Sequence, residues 1–547
     1  TACSSPVGPG TTGVLSRSIS PALTGVIDTP VSWLLMAGII SELRLPCSAP
    51  PRSGVEANPA PRSSLPHVVL ALVCCIHLLT IRQGHGWGDD FAQYIAHARN
   101  LVEKQPYANT GYVLNPEAPE IGPSAYPPGL PVLLAPVYAA CGLNFAAMKA
   151  VIAASLGLLL GLLVVLFRRD LSPLQTGVCL LLIGLNPYMF DLKEQVLSDL
   201  PFAAFVALSA VLVLRFEARP GPGPAMALGA AVYGAYAFRT VGALLMPALF
   251  LTAVTRLRAG RRMVLVAATG TFVVLAVSQA ALFGWSSDYL LTLRKFDPAM
   301  LAYNLLFYPV SLYRLWGSGP TRNLALAVHA IAAAFAVYGY VKARSPRLRF
   351  LEYFALLLLL TLLVWPVKGS TRFLIPLVPL WLFYAVRGFG LASDRMPLRL
   401  RLSVGAAIAG AILGAVGASY YSYGAQRPPA GPAAPGFQRL ARHIGRNTPD
   451  GSLILFAQPR ALALFTSRRS AVCRCESADA LLDYARRVGA SYVLAHESFP
   501  VDRRRLAFLG HRPEWFQRVY AGDGYQLFRI DLRGQIATSP SVVALAP

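Results

Sequence analysis

Acidic residues are scarce: 26 Asp and Glu stand against 49 Lys and Arg in 547 residues, and charge of either sign makes up only 14% of the chain. Soluble domains carry about 25% charged residues, so an ordinary soluble protein is excluded. With 55% hydrophobic residues and a mean hydropathy of +0.50, the chain reads as an integral membrane protein. Cysteine and histidine are equally sparse, eight of each. The cysteines are scattered, several inside apolar stretches (Cys74, Cys75, Cys179), which excludes a disulfide framework or a zinc pattern. Cys473 and Cys475 form the one close pair, and a C-x-C spacing reads as two unpaired thiols. His85, His97, His443 and His496 have no metal-ligand spacing and are expected to be non-ligands. No Gly-rich phosphate loop, nucleophile elbow, H-E-x-x-H or nucleic-acid signature occurs, so the formal charge of +23 does not mark a nucleic-acid partner.

What is present is a series of apolar stretches. Those at 66–82, 146–167, 173–189, 199–216, 225–239, 242–257, 263–284, 323–341, 351–366, 371–387 and 403–423 predict about eleven spans. An odd number puts the termini on opposite faces of the membrane. Alternate loops are basic, namely FRRD (167–170), RLRAGRR (256–262), KARSPRLR (342–349) and RGFGLASDRMPLRLR (387–401), and the positive-inside rule places them in the cytoplasm. The remaining loops and everything after Tyr423 then face outside, which for a bacterial inner-membrane protein is the periplasm.

The organisation expected is a poorly ordered segment at 1–64, a transmembrane domain at 65–424 with an outer loop at 83–145, a Pro/Gly linker at 425–436, a small extracytoplasmic α/β domain at 437–532 and a tail at 533–547. Within the small domain, helices are predicted at 437–446 and 477–488 and strands at 452–456, 491–495 and 525–530. Short helices at 90–104, 130–140 and 305–315 are expected to lie at the membrane interface, against lipid or the helical bundle. The fold class is thus an α-helical polytopic membrane protein carrying a small α/β domain.

Four clusters place charge at the outer ends of the spans. Asp89 and Asp90 open the amphipathic helix of the first outer loop. A capping Asp is ordinary there, but a cap needs one carboxylate, and two like charges beside a low-dielectric surface raise at least one pKa, a cost typical of functional sites. Lys368 and Arg372 lie in WPVKGSTRFLIPLVPL, on the side that basic residues normally avoid; Arg372 in a first helical turn opposes the dipole and calls for an external anion, or else reaches out to lipid phosphates. Arg239 sits in a tight turn between two apolar stretches, where an Arg is costly unless paired. Glu194 and Asp199 flank the start of the next span, and Asp199 also reads as its N-cap.

The order GDDFAQY, YPPGLPVLLAPVY, SDLPF, FRTVG and TRFLIPLVPL resembles the GT-C superfamily of polytopic glycosyltransferases, in particular the bacterial relatives of protein O-mannosyltransferases and of the lipid A aminoarabinose transferase. The likeness covers residues 66 to 390 and extends to NTPDGSLILFAQPRALALFTSRRS and GASYVLA in the C-terminal part. It implies sugar transfer from a polyprenyl-phosphate carrier, with Asp89 as catalytic base and Asp90 as supporting acid, where relatives often carry Glu. Some members place a Lys beside the proline motif of the first loop; here Tyr126 stands there, which moves donor-phosphate binding onto Arg239, Arg372 and Lys368. Tyr94, Tyr126, Glu194 and Asp199 are supporting or acceptor-side candidates. A single displacement would invert the anomeric centre. The acceptor is a glycan, lipid or protein; no cofactor is implied, and a divalent metal has no motif to hold it. The alternatives are a transporter or lipid flippase, an O-antigen-ligase-type transferase and a non-catalytic scaffold. A transporter would bring internal repeats and midplane charges, and neither is evident.

Overall fold

A computed structural model describes residues 63–532, except 119–120, 258–259, 285–287, 289–291, 293–296, 368 and 426–430. The expectations for residues 1–64 and 533–547 fall almost wholly outside these residues, as does Lys368.

Every stretch expected to span the membrane is helical, but the helices divide into two groups. Six are long and apolar enough to cross a membrane among the described residues: Phe145–Phe167, Asp199–Ala218, Arg261–Phe283, Gly319–Ala343, Thr371–Ser393 and Leu398–Ser422. A seventh span is made if Pro173–Gly184 and Pro187–Lys193, bent by 56° across Leu185 and Asn186, are taken together. Pro187 explains the break, since it lacks the N–H that a continuing helix would use and Asn186 caps the new one. Leu65–Leu79 and Thr240–Thr255 are shorter apolar helices, Pro222–Phe238 has 17 residues and Arg349–Val364 has 16. Apolar composition therefore marked helices, of which six, or seven with the bent pair, have the length of a full span among the described residues.

The basic loops meet at one end of the bundle: Arg387 and Ser345 both donate to Asp170 Oδ1, at 3.1 and 3.0 Å, and Arg256 bonds the Pro346 carbonyl.

The helix Asp90–Val102 follows the pattern expected, but it is buried on both faces, with Phe91 through Ala98 all inaccessible. It packs between Gly129–Cys141 and the helix Pro459–Thr466 of the C-terminal domain, so it is an internal element and not one lying against lipid.

The C-terminal part of the chain, referred to below as the small domain, carries a six-stranded sheet of order β1-β3-β2-β4-β6-β5. Its strands are β1 (Tyr112–Val113), β2 (Leu453–Leu455), β3 (Arg469–Ala471), β4 (Tyr492–His496), β5 (Phe516–Gly522) and β6 (Tyr525–Ile530). The three expected strands are β2, β4 and β6. The edge strand β1 comes from the first outer loop and pairs in parallel with β3, Tyr112 with Ser470 and Val113 with Ala471. Loop and domain therefore share one sheet. Trp87 adds to the joint by packing edge-on against Phe437, Phe456 and Phe499. Gly431 lies so close to the His85 carbonyl that a Cβ there would clash with it. Cys473 and Cys475 are joined in a disulfide, contrary to the unpaired thiols expected; their Cα atoms are 5.4 Å apart, within bonding range.

Phe437 is fully buried at this joint. Phe437→Ala is expected to cost about 3–5 kcal/mol, read as a lowered midpoint for unfolding of the C-terminal domain.

Candidate functional site

Asp89 occupies the N-cap position of Asp90–Val102 yet makes no side-chain bond to that helix. Its carboxylate instead caps a helix whose first donor, Arg460, lies 371 residues away in the chain: the backbone N–H of Arg460 donates at 3.0 and 3.2 Å and that of Ala461 at 3.0 Å. Helix Pro459–Thr466 has no cap of its own, because Gln458 makes none. The positive end of that helix is thus closed by an acid from another part of the chain.

Asp90 faces the other way. It accepts from Tyr126 Oη at 2.6 Å, from Arg372 Nη2 at 2.6 Å and from Arg460 Nη1 at 3.1 Å. Tyr126 is in turn fixed from three sides. Its hydroxyl accepts from Arg460 at 2.9 Å, its ring stacks on Tyr94, and its backbone N–H donates to His97 Nε2 at 3.1 Å. His97 uses its other nitrogen on the Tyr107 carbonyl, so burial, pushing its pKa down to about 3, keeps it a neutral tether.

These environments split the two acids. Burial, the strongest influence, pushes Asp89 up to about 6 against the pull of Arg460 and of the two backbone amides. Burial acts as strongly on Asp90, but Arg372, Arg460 and the Tyr126 hydroxyl together hold it well below the usual carboxylate range. One carboxylate is ionised at any relevant pH; its neighbour titrates near neutrality.

Arg372 lies in the 3-10 turn Thr371–Leu377, and Arg239 in the extended residue that ends Pro222–Phe238. Both guanidinium groups sit against the ring of Phe373, 5.6 and 5.3 Å from its centroid, so one aromatic side chain gathers two cations. Arg239 also pairs with buried Asp199. Asp199 is therefore a partner to a cation rather than only a helix cap, and each Arg still has guanidinium donors beyond the one its carboxylate takes.

Two cavities meet here. The first, of about 380 Å³, has polar residues at one end, among them Asp90, Tyr126, Asp199, Arg239 and Arg372, and apolar walls that include Phe202, Phe238, Leu358, Leu362 and Trp365. The second, of about 480 Å³, is more polar than the first and lined by Asp89, His85, Lys149 and Glu194 among others. Asp90 and Arg372 line both, which makes their ion pair the wall between them. Asp89 opens only onto the polar cavity and Arg239 only onto the apolar one, so the two do not share a single cleft.

Glu194 stands apart from the cations at Phe373. It accepts from Lys149 at 2.8 Å and Lys193 at 2.5 Å, and the two lysines bond the carbonyls of Arg82 and Thr80. This cluster anchors the chain just ahead of the acid pair. Arg460 was not singled out in the sequence, although the argument that drew attention to Arg372 applies to it: it is a cation in the first turn of a helix, directly after Pro459. Among the described residues no group of three or more His, Cys, Asp or Glu is placed to hold a metal ion.

No protein-family model matches the sequence, and no curated protein matches it. Solved structures match the fold. ArnT from Cupriavidus metallidurans bound to undecaprenyl phosphate aligns at a TM-score of 0.51 and 14% identity, over 87% of this chain and 99% of that one. The oligosaccharyltransferase AglB from Archaeoglobus fulgidus, in complex with an inhibitory peptide and a dolichol-phosphate, aligns at 0.57 and 12%, over 86% and 75%. An oligosaccharyltransferase from the same archaeon, in complex with Zn and sulfate, aligns at 0.56 and 13%, over 84% and 72%. The chain thus shares its fold with ArnT and AglB.

Gly122 lies at φ +110 in the loop that holds Tyr126, and a Cβ there would come within 2.7 Å of Arg460 Nη2 and 2.9 Å of Tyr126 Oη. Gly122→Ala is expected to destabilise the protein by more than about 1 kcal/mol, measured as a fall in unfolding temperature.

Proposed function

We propose that the protein is a membrane glycosyltransferase that moves a sugar from a polyprenyl-phosphate carrier to an extracytoplasmic acceptor. The observation that carries this reading is the junction of the two cavities at the acid pair. An apolar channel ending in two guanidinium groups suits a phosphate on an isoprenoid chain, and a polar cavity beyond the Asp90–Arg372 wall suits a hydroxyl-bearing acceptor. The undecaprenyl phosphate and dolichol-phosphate named with the structures of similar fold support the same class of donor.

In this reading the acceptor hydroxyl enters from the polar side and its oxygen attacks the anomeric carbon. The bond from that carbon to the carrier phosphate oxygen breaks, Asp89 takes the hydroxyl proton, and Arg239 and Arg372 hold the charge that grows on the departing phosphate. Lys368, the remaining candidate for the phosphate, lies outside the described residues. Asp89 suits the role of base better than Asp90, because Asp90 already accepts three strong hydrogen bonds and is held too acidic to take a proton. Asp90 serves as support, fixing Arg372. One displacement inverts the anomeric centre. The acid pair and the C-terminal domain face outside the cytoplasm, as the meeting of the basic loops at the other end supports. Tyr94 and Asp199 support the site through Tyr126 and Arg239, and Glu194 through the 80–85 segment.

Asp89→Asn is expected to lower transfer by at least about 100-fold while the protein stays folded, with release of polyprenyl phosphate from synthetic polyprenyl-phosphate hexoses and pentoses as the assay. Transfer at near the wild-type rate would remove Asp89 as base. Because the base acts only when ionised, wild-type kcat/KM should be level above pH about 6 and fall about tenfold per unit below it. Arg239→Gln and Arg372→Gln should each weaken binding of undecaprenyl phosphate about tenfold or more, measured by quenching of intrinsic fluorescence.

A further inference from the structure

Among the described residues Arg460 is the one cation of the site that comes from the C-terminal part of the chain, and the structure places it there at a cost. Its side chain is completely buried, and as the second residue of its helix it faces the positive end of the dipole. A buried guanidinium is tolerated only where its partners repay the loss of water. Those partners lie in the first loop: Asp90 and Tyr126 Oη on Nη1, the Pro123 carbonyl at 3.0 Å on Nη2, and the rings of Tyr112 and Tyr126 at 4.7 and 4.9 Å. The same helix offers its first free amides to Asp89. One turn of the small domain thus touches both acids and the tyrosine that Asp90 holds in the apolar cavity.

We infer that Arg460 is a positioning residue of the transfer site, and that docking of the C-terminal domain both orients the Asp90–Tyr126 pair and sets the basicity of Asp89. This rests on Asp89 being the base. A purely adhesive contact would need no aim at the acid pair, and the joint already has the β1–β3 pairing and Trp87 to hold it. The groups that face Asp89 are Arg460 from the domain, Asp90 from its own helix and Tyr112 from β1. Across the polar cavity stand Arg82, His85, Lys149, Asp191, Glu194 and Arg372. Of the nearest three only Arg460 is a cation, so its removal leaves burial and Asp90 to act on Asp89 unopposed except by the amides.

The test compares pH profiles of kcat/KM for wild type, Arg460→Gln, Arg460→Lys and Asp89→Asn, with the synthetic polyprenyl-phosphate sugars as donors and folding checked by thermal unfolding. Asp90 keeps Arg372 and Tyr126, so the Gln variant should fold. Arg460→Gln is expected to move the acidic limb upward by about one pH unit or more, and Arg460→Lys, which keeps the charge but not the fork, by less. If the Gln variant does not fold, the shift in the Lys variant decides. A uniform loss of rate with an unmoved limb overturns the inference and leaves the base assignment standing. An acidic limb that persists in Asp89→Asn overturns the base assignment and this inference with it.

Discussion

Two adjacent carboxylates beside a membrane cannot both be ionised cheaply, and the way this chain meets that constraint shapes everything around them. Asp90 is compensated by cations from two directions, Arg372 from the transmembrane domain and Arg460 from the C-terminal domain. Asp89 is compensated by the charge of Arg460 and by the amides that open helix Pro459–Thr466. The result is a pair with divided character, one carboxylate saturated with donors and one retaining a pKa near 6. Such a division is how two neighbouring acids come to take different roles in one reaction.

The compensation also explains the architecture. For Arg460 to reach Asp90, the small domain must be held against the first loop, and the structure does this by lending β1 to the domain's sheet and by seating Trp87 among three phenylalanines. On the opposite side of the loop, Lys149, Glu194 and Lys193 fix the backbone at Thr80 and Arg82. The acid pair is clamped from both directions, with little freedom to relax its charges apart. Phe373, by gathering Arg239 and Arg372, places the remaining cations where the apolar cavity ends.

Much of this was legible in the sequence wherever a local rule decides the outcome. Period and composition located the apolar helices and the helix of the acid pair, and β6 falls at the residues expected of it. Asp89, Asp90, Arg239 and Arg372 stand out because each is a charge where charge is costly, and the fold brings them to adjoining cavities. What local rules could not reveal depends on contacts between distant segments. A two-residue strand such as β1 has no periodicity to detect; it exists because β3 offers an open edge. Arg460 lies 370 residues from Asp90 in the chain, and only the docked domain shows that its counter-charge is there. Glu194 and Asp199, five residues apart in sequence, separate because one finds lysines behind it and the other finds Arg239 in front.

The most direct test of the account is a structure determined in lipid nanodiscs with undecaprenyl phosphate bound. The phosphate should sit between Arg239 and Arg372 at the Asp90 end of the apolar cavity, with its chain running out past Leu358 and Leu362. A phosphate bound away from both guanidinium groups, with that cavity closed to the lipid, would contradict it.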